Sequence, residues 1–256
     1  MSGQAIRLPG LDFANPGLPR ASASDYELAI DATPGLKLWL SPEPRFEYGE
    51  PGAGLRERAR RIDMALTPNS GAVYTLGRAL TAQPSLHVIG TDQQGIYTDR
   101  VRDFRFMEAG YSIVTAVKIA SNTGSNWLFN ARVDDVGAIE LTAEGGAIWL
   151  RHAGDPVAGG SSLSGAVKLV MASWADDGTT AIWVNGASVG SDTIAAPDMA
   201  GSGRLGIGSM NDFDPSVAVD IGDFVVLDRP LHKTANNAIR TTLFEAMAAK
   251  YGVTLA

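Results

Sequence analysis

The stretch Trp174-Ala-Asp-Asp-Gly-Thr-Thr-Ala-Ile-Trp183-Val-Asn-Gly186 sets two tryptophans nine positions apart, with an Asp-Gly turn signal between them and an Asn-Gly signal after. Apolar residues flank both signals, which is the sequence pattern of consecutive β-hairpins. If Asp177-Gly178 is a two-residue tip, Asp176 pairs with Thr179, Trp174 with Ala181, Ala172 with Trp183, and Met171 with Val184. Side chains alternate along a strand, so this register sorts the residues by face. Leu169, Met171, Ile182 and Val184 make a core face. Lys168, Val170, Ala172, Trp174, Ala181, Trp183 and Asn185 make the other. A three-residue loop breaks this parity. Two readings of the second face stand: aromatic rings beside polar groups that stack on a ligand, or rings covered by a loop, arm or helix.

Outward from this hairpin the chain continues in the same style. Short apolar or alternating segments, separated by Gly, Asn and Asp, occur at Leu36–Leu40, Ser85–Ile89, Tyr111–Ile119, Asn126–Asn130, Ala138–Leu141, Ala147–Arg151, Val167–Trp174, Thr180–Asn185, Arg204–Ile207 and Ile221–Leu227. Many short strands with no helices between them predict an antiparallel sandwich or barrel. Ser41-Pro42-Glu43-Pro44 is expected to stop the first strand, and the polar 45–61 segment to form a short helix or solvated loop. Residues 1–30, rich in Gly, Pro, Ala and Ser, read as an N-terminal arm ahead of a sandwich over 31–256. The end is different: Ile239, Leu243, Met247 and Tyr251 recur every four residues, widened by Phe244 and Ala248. This predicts one amphipathic helix at about 233–251, with Thr234 as N-cap and Gly252 just past its end.

Composition narrows the function classes. The 256 residues are 45% hydrophobic and 19% charged, which suits a single large globular domain. A net charge of −7 argues against a general nucleic-acid binder, because phosphate-backbone affinity comes from surplus Lys and Arg. The chain has no cysteine, so disulfides and thiolate metal sites are excluded. No stretch approaches the roughly 20 apolar residues of a membrane span, and the first residues lack the apolar run of a secretory signal. Synthesis in a cytosol without membrane insertion is the expectation.

Several chemistries find no footing. Gly201-Ser-Gly-Arg-Leu-Gly206 matches G-x-G-x-x-G formally, but a strand follows it where a dinucleotide site needs a helix. Glycoside hydrolysis needs two carboxylates about 5–9.5 Å apart. Glu140 and Glu144 are separated by a turn signal, and Asp134-Asp135 are adjacent and so point to opposite faces of a strand. His87, His152 and His232 are too far apart in sequence for a local zinc motif. Asn211, Asp212 and Asp214 in one loop offer oxygen ligands of the kind calcium takes, with Asp134 and Asp135 as a second candidate.

The order of four segments resembles the concanavalin A-like or laminin G-like jelly-roll modules, especially those of bacteriophage and phage-like particles. They are GLKLWLSPE (35–43), QPSLHVIGTDQQGIYTD (83–99), WADDGTTAIWVNG (174–186) and the run from GSGRLGIGS (201–209) to DIGDFVVLDRPLHKTANNAIRTTLFEAMAAKYGV (220–253). The basic GLRERARR run (54–61) and residues 1–30 have no counterpart in that pattern. The resemblance implies two packed antiparallel sheets, with ligands on a concave face or rim loops and in some members a calcium ion. It implies a non-enzymatic surface protein of a phage or phage-like particle that binds host cell-surface polysaccharide. Trp174 and Trp183 would then stack on sugar, with Asn185 and Lys168 as polar partners and Trp127 and Trp149 on neighbouring strands. The alternatives are a head or tail decoration protein docking through its arm to other particle proteins, as a monomer or homo-oligomer, and a polysaccharide-degrading enzyme.

Overall fold

A computed structural model of the chain describes residues 24–47, 50–57, 66–68, 75–81, 83–88, 95–98, 104–119, 125–133, 136–152, 155–160, 163, 165–199, 203–208 and 219–256. These form a jelly-roll β-sandwich of two antiparallel sheets with helices on one side. In chain order the strands are β1 (Leu36–Glu47), β2 (Glu50–Glu57), β3 (Leu66–Pro68), β4 (Thr75–Leu80), β5 (Gln83–Val88), β6 (Gly95–Thr98), β7 (Gly110–Ile119) and β8 (Ser125–Val133). There follow β9 (Val136–Glu144), β10 (Ala147–His152), β11 (Asp155–Gly160), β12 (Lys168–Ala175), β13 (Thr179–Val184), β14 (Ala187–Thr193), β15 (Gly203–Gly208) and β16 (Val219–Leu227). The first sheet runs β14-β13-β12-β7-β16-β1-β2, with β5 also on β16 and β4 on β5; the second runs β11-β10-β9-β8-β15-β6-β3.

Between the sheets lies one apolar layer. Leu38, Leu40, Ile113, Val117, Val170, Ala172, Trp174, Ile182, Phe224 and Val226 from the first sheet meet Leu128, Phe129, Ala131, Ile139, Leu141, Ile148, Leu150, Val157 and Ile207 from the second. Phe129 and Phe224 stack across the layer with ring centroids 5.2 Å apart. The first sheet is apolar on its outer face too. Leu36, Trp39, Val114, Ala116, Leu169, Met171, Val225 and Leu227 pack under a helix, α2 (Asn237–Tyr251), through Leu243, Phe244, Met247 and Tyr251. Burying each such side chain is worth about 1.5–3 kcal/mol, and β7 and β16 are buried along nearly their whole length.

The helix ends as the sequence predicts, on Gly252 in the left-handed conformation (φ 62°), where its N–H reaches the Ala248 carbonyl. Its start differs. Thr234 opens a 3-10 turn (Thr234–Asn236), and the α-helix begins only after Asn236.

A second helix, α1 (Asp25–Asp31), lies where an arm is expected and packs on α2. The Glu27 carboxylate accepts the Ser24 N–H at 3.1 Å, a capping contact that fixes the first turn. The expected stop at Pro42 and Pro44 does not occur. β1 continues to Glu47 and pairs with β2, in which Leu55, Arg56 and Glu57 are strand residues and not helix or loop. Past Leu40, β1 has left β16 and pairs only with β2. Proline is tolerated there because one side of the strand carries no ladder.

At Gly222-Asp223 the β16 register shifts. The freed Asp223 N–H donates to the Tyr251 hydroxyl at 2.6 Å. The Asp223 carboxylate accepts Ser41 Oγ at 2.7 Å and Lys250 Nζ at 2.6 Å, with both charged side chains buried. This bulge is the socket for the end of α2.

Candidate functional site

The quoted hairpin folds with a three-residue loop. Trp174 pairs with Thr180, Ala172 with Ile182, Met171 with Trp183 and Val170 with Val184, one residue away from the two-residue register. Asp176 and Asp177 form the bend, Gly178 closes it with φ 83°, and its N–H donates to the Ala175 carbonyl at 2.9 Å. A turn followed by a left-handed glycine is the usual three-residue hairpin. Asp177 fixes it further: its carboxylate accepts the Thr179 N–H and hydroxyl and pairs with Lys233. That extra residue turns Trp183 to the opposite face from Trp174, which corrects the expected pairing of two indoles on one surface.

Trp174 is fully buried between the sheets, its ring stacked near Tyr111 (6.2 Å) and edge-on to His152 (5.4 Å). Its indole N–H donates to the Ile194 carbonyl at 3.2 Å. His152 Nδ1 lies 2.7 Å from the Ala195 carbonyl, which can only accept, so Nδ1 carries the proton and Nε2 accepts the Tyr111 hydroxyl at 2.6 Å. Burial pushes the Tyr111 pKa well up, keeping that hydroxyl a donor. Trp174 therefore has no surface to offer a sugar.

Trp183 lies on the outer face of the first sheet, with the Arg240 guanidinium of α2 4.0 Å above its ring. Asn185 has a structural role. With Gly186 it makes the two-residue turn between β13 and β14, both residues at positive φ (50° and 87°), as a type I′ turn requires. Its Oδ1 accepts the Leu169 N–H and its carbonyl the Ala256 N–H. Lys168, at the start of β12, has the parity of interior-facing Val170 and not that of Trp183. The four expected ligand residues are thus dispersed.

The histidines are also apart, each with its own partners: His87 with Asp220, His152 as above, and His232 between Ser173 Oγ (2.8 Å) and Thr179 Oγ1 (3.0 Å). Among the described residues no three His, Asp or Glu side chains gather to hold a metal ion, and no helix is long and apolar enough to cross a membrane. Asn211, Asp212, Asp214, Asp134 and Asp135 lie outside the described residues.

Trp127 and Trp149, the other two expected ligand residues, fall in one row of the backbone register. The second sheet's strands contribute to the inter-sheet layer but not to the helix-covered one, so their other face is not packed by α1 or α2. The registers build rows across β8, β9, β10 and β11, in which Thr142 and Asn130 are buried and Trp149 and Arg151 partly exposed. One row is Ser125, Glu144, Ala147, Gly160. The next is Trp127, Thr142, Trp149, Ala158, and the third is Asn130, Glu140, Arg151, Pro156. Thr142 thus sits between Trp127 and Trp149 in register.

Arg151 reaches back over this row. Its guanidinium carbon lies 5.3 Å from the Trp149 ring centre, Nη1 donates to Thr142 Oγ1 (2.6 Å) and Glu144 Oε1 (3.1 Å), and Nη2 donates to Glu144 Oε2 (3.0 Å). The Trp149 indole N–H points at the Glu144 carbonyl at 3.4 Å. A bidentate guanidinium–carboxylate pair holds both side chains in one orientation, giving a partly exposed ring with fixed donors and acceptors beside it. Burial alternates along Ala147-Ile-Trp-Leu-Arg-His152: Ile148, Leu150 and His152 are buried, while Ala147, Trp149 and Arg151 are not; the sequence hides this, because its first four residues are all apolar.

No protein-family model matches the chain, and no curated protein does. Solved structures do. The binding domain of botulinum neurotoxin serotype C1 superposes with a TM-score of 0.60 at 12% identity, covering 83% of this chain and 53% of that one. The binding domain of botulinum neurotoxin DC in complex with SialylT gives 0.58 at 12%, covering 83% and 52%. The Trypanosoma rangeli sialidase in complex with 2,3-difluorosialic acid gives 0.57 at 17%, covering 83% and 33%. The chain spans about half the length of the toxin domains and a third of the sialidase. At these identities the likeness establishes the β-sandwich fold.

Proposed function

We propose that this chain is a non-enzymatic carbohydrate-binding sandwich that takes cell-surface polysaccharide on the outer face of its second sheet. The observation that carries this reading is the partly exposed Trp149 ring with the Arg151–Glu144 pair fixed beside it, Trp127 falling in the same register row. Indole stacks on the apolar face of a sugar ring while neighbouring polar groups bond its hydroxyls. The fold supports the same reading, since a binding domain of this shape is solved in complex with SialylT. Display on a phage or phage-like particle, where the chain would meet both cell-surface glycans and other particle proteins, is the setting we propose from the resemblance of its four segments to particle jelly rolls.

A glycan array and whole-cell binding, run on wild type, Trp149→Ala and Trp127→Ala, test the site. Binding by wild type that both substitutions weaken at unchanged fold is expected. Equal binding by all three proteins places any ligand elsewhere. Antibody labelling of purified particles in electron micrographs tests the setting.

A further inference from the structure

We infer that Arg151 sets the specificity of the site around Trp149, by gripping two hydroxyl oxygens on adjacent carbons of the sugar ring stacked there; this rests on the carbohydrate reading above. A guanidinium carries five N–H donors in one rigid plane. Three of them are spent on fixing Arg151 in place. The two Nη1 protons go to Thr142 Oγ1 (2.6 Å) and Glu144 Oε1 (3.1 Å), and one Nη2 proton goes to Glu144 Oε2 (3.0 Å). The Thr142 hydroxyl, itself buried, donates in turn to Glu144 Oε1 at 3.2 Å, so the clasp closes on itself. What is left is the Nε proton and the outer Nη2 proton, which project side by side from one edge of the plane. Among the described residues neither has a partner, Nε is not buried, and the side chain is 19% exposed. Arg151 therefore presents a rigid edge of two parallel donors to solvent.

A second Arg–Trp contact shows what is particular about this one. The Arg240 guanidinium lies 4.0 Å from the Trp183 ring centre, the distance of a stack centred on the ring, and so takes that face for itself. Arg151 stands 5.3 Å from the Trp149 ring centre, too far for a centred stack, and Glu144 and Thr142 hold it there. Its donors are displaced from the middle of the platform. Space also remains on the other side of the ring. Two residues back along β10 the row holds Ala147 and Gly160, and a Cβ built on Gly160 meets nothing within 4 Å. A pyranose lying against the indole carries its hydroxyls around its rim. Two of them on neighbouring carbons match paired donors with paired acceptors, the geometry that makes an arginine fork selective. The Arg151–Glu144 pair is neutral, so selection rests on where the two oxygens stand and not on ligand charge. A carboxylate also carries two oxygens, and the test must tell it from a hydroxyl pair.

The experiment is competition of full-chain binding on a glycan array by the methyl glycosides of glucose, galactose and mannose, their singly deoxygenated forms and the matching uronic acids. At least one hexoside should compete with wild type, and removing either of two adjacent hydroxyls from it should weaken competition about tenfold, as loss of a bond to a charged donor does. Arg151→Lys keeps a cation beside Glu144 but has no planar fork, so both losses should shrink to about twofold or less. Arg151→Gln combined with Glu144→Gln removes the ion pair as a unit; it should behave the same way and stands in should Arg151→Lys misfold. Deoxygenation losses that persist in these variants, with only the overall affinity lowered, would make Arg151 a structural residue and overturn the inference. A wild type that binds array glycans but is competed by no hexoside, or equally by every deoxygenated form, also overturns it and leaves the carbohydrate reading intact. So does a uronic acid that competes better than its parent hexoside and loses that advantage in Arg151→Lys, because the edge then takes a carboxylate. Absence of binding to every glycan removes the carbohydrate reading, and this one with it.

Discussion

Trp174→Ala and Trp149→Ala should have opposite effects, and the contrast follows from burial alone. Trp174 exposes none of its surface, and its N–H satisfies the Ile194 carbonyl inside the sandwich. Truncating a buried Trp costs about 3–5 kcal/mol. Leaving the buried carbonyl without its donor costs about 1–3 kcal/mol more, though the two terms overlap because one side chain makes both contacts. An expected loss of about 4–6 kcal/mol is a large share of the 5–15 kcal/mol that holds a typical domain together. Trp174→Phe keeps most of the ring contact with Tyr111 and His152 but drops the donor, so its loss should be nearer 1–3 kcal/mol.

Trp149 is partly exposed on the outer face, and its removal should cost under about 1 kcal/mol, as surface substitutions usually do. Urea denaturation followed by tryptophan fluorescence and circular dichroism gives the stabilities, and glycan titration of the folded proteins gives the affinities. Trp174→Phe should bind as wild type while Trp149→Ala should not. A Trp174→Ala protein within 1 kcal/mol of wild type that has lost glycan binding would refute the placement of this indole.

Three further outcomes follow from the same structure. Lys250→Met strands the Asp223 carboxylate inside the α2 socket and should cost about 3–5 kcal/mol in denaturant melts, whereas adding Asp223→Asn should recover most of that loss. Gly222→Ala would place a Cβ 2.6 Å from the Tyr251 hydroxyl and 2.8 Å from Leu80 Cδ1, forcing the helix end outward. A loss of about 1–3 kcal/mol is expected, read as a lowered melting temperature. His232 is held down to a pKa of about 4, first by burial and then by the Lys233 charge, with Arg240 adding to this and Asp177 opposing it. Its folded value lies below its unfolded 6.5, so the unfolded chain binds the extra proton between those limits. Stability from this group is full above pH 6.5 and falls as the pH drops toward 4. His232→Gln should flatten the wild-type pH profile in that window, measured as denaturation midpoints.

Much of the architecture was legible because burial sets periodicity. All ten predicted strands are present in extended form, and the four-residue spacing from Ile239 to Tyr251 gives α2. What escaped reading lies at sheet ends and in short elements. β2, β11 and β14 are at sheet ends, and sequences such as Asp155-Pro-Val-Ala-Gly-Gly160 lack the apolar alternation of a half-buried strand. The Ser24-x-x-Glu27 capping pattern of α1 was visible, but only seven helical residues follow it. Most consequential was the bend at 176–178. Asp-Gly fits a two-residue turn and a three-residue loop equally well, and the observed loop is held from outside the hairpin by Lys233 on Asp177 and His232 on Thr179, which no local pattern encodes. One residue of loop length decided the face of Trp183.

Strand patterning nevertheless held a better discriminator than turn chemistry. β12 reads Lys-Leu-Val-Met-Ala-Ser-Trp-Ala, apolar at nearly every position, and is buried on both faces. An indole in such a strand faces either the sandwich interior or the helix layer, so it is covered whatever the hairpin register. Burial along β10 alternates strictly, so one of its faces is only partly covered. An indole on the open face of an alternating strand has no core to enter, and its exposure is set by the period of the strand. By this criterion Trp149 outranks Trp174 and Trp183 as a ligand platform once the burial along each strand is known. The criterion also explains why the helices cover the first sheet: its central strands carry two apolar faces, and only the inner one is satisfied by the second sheet.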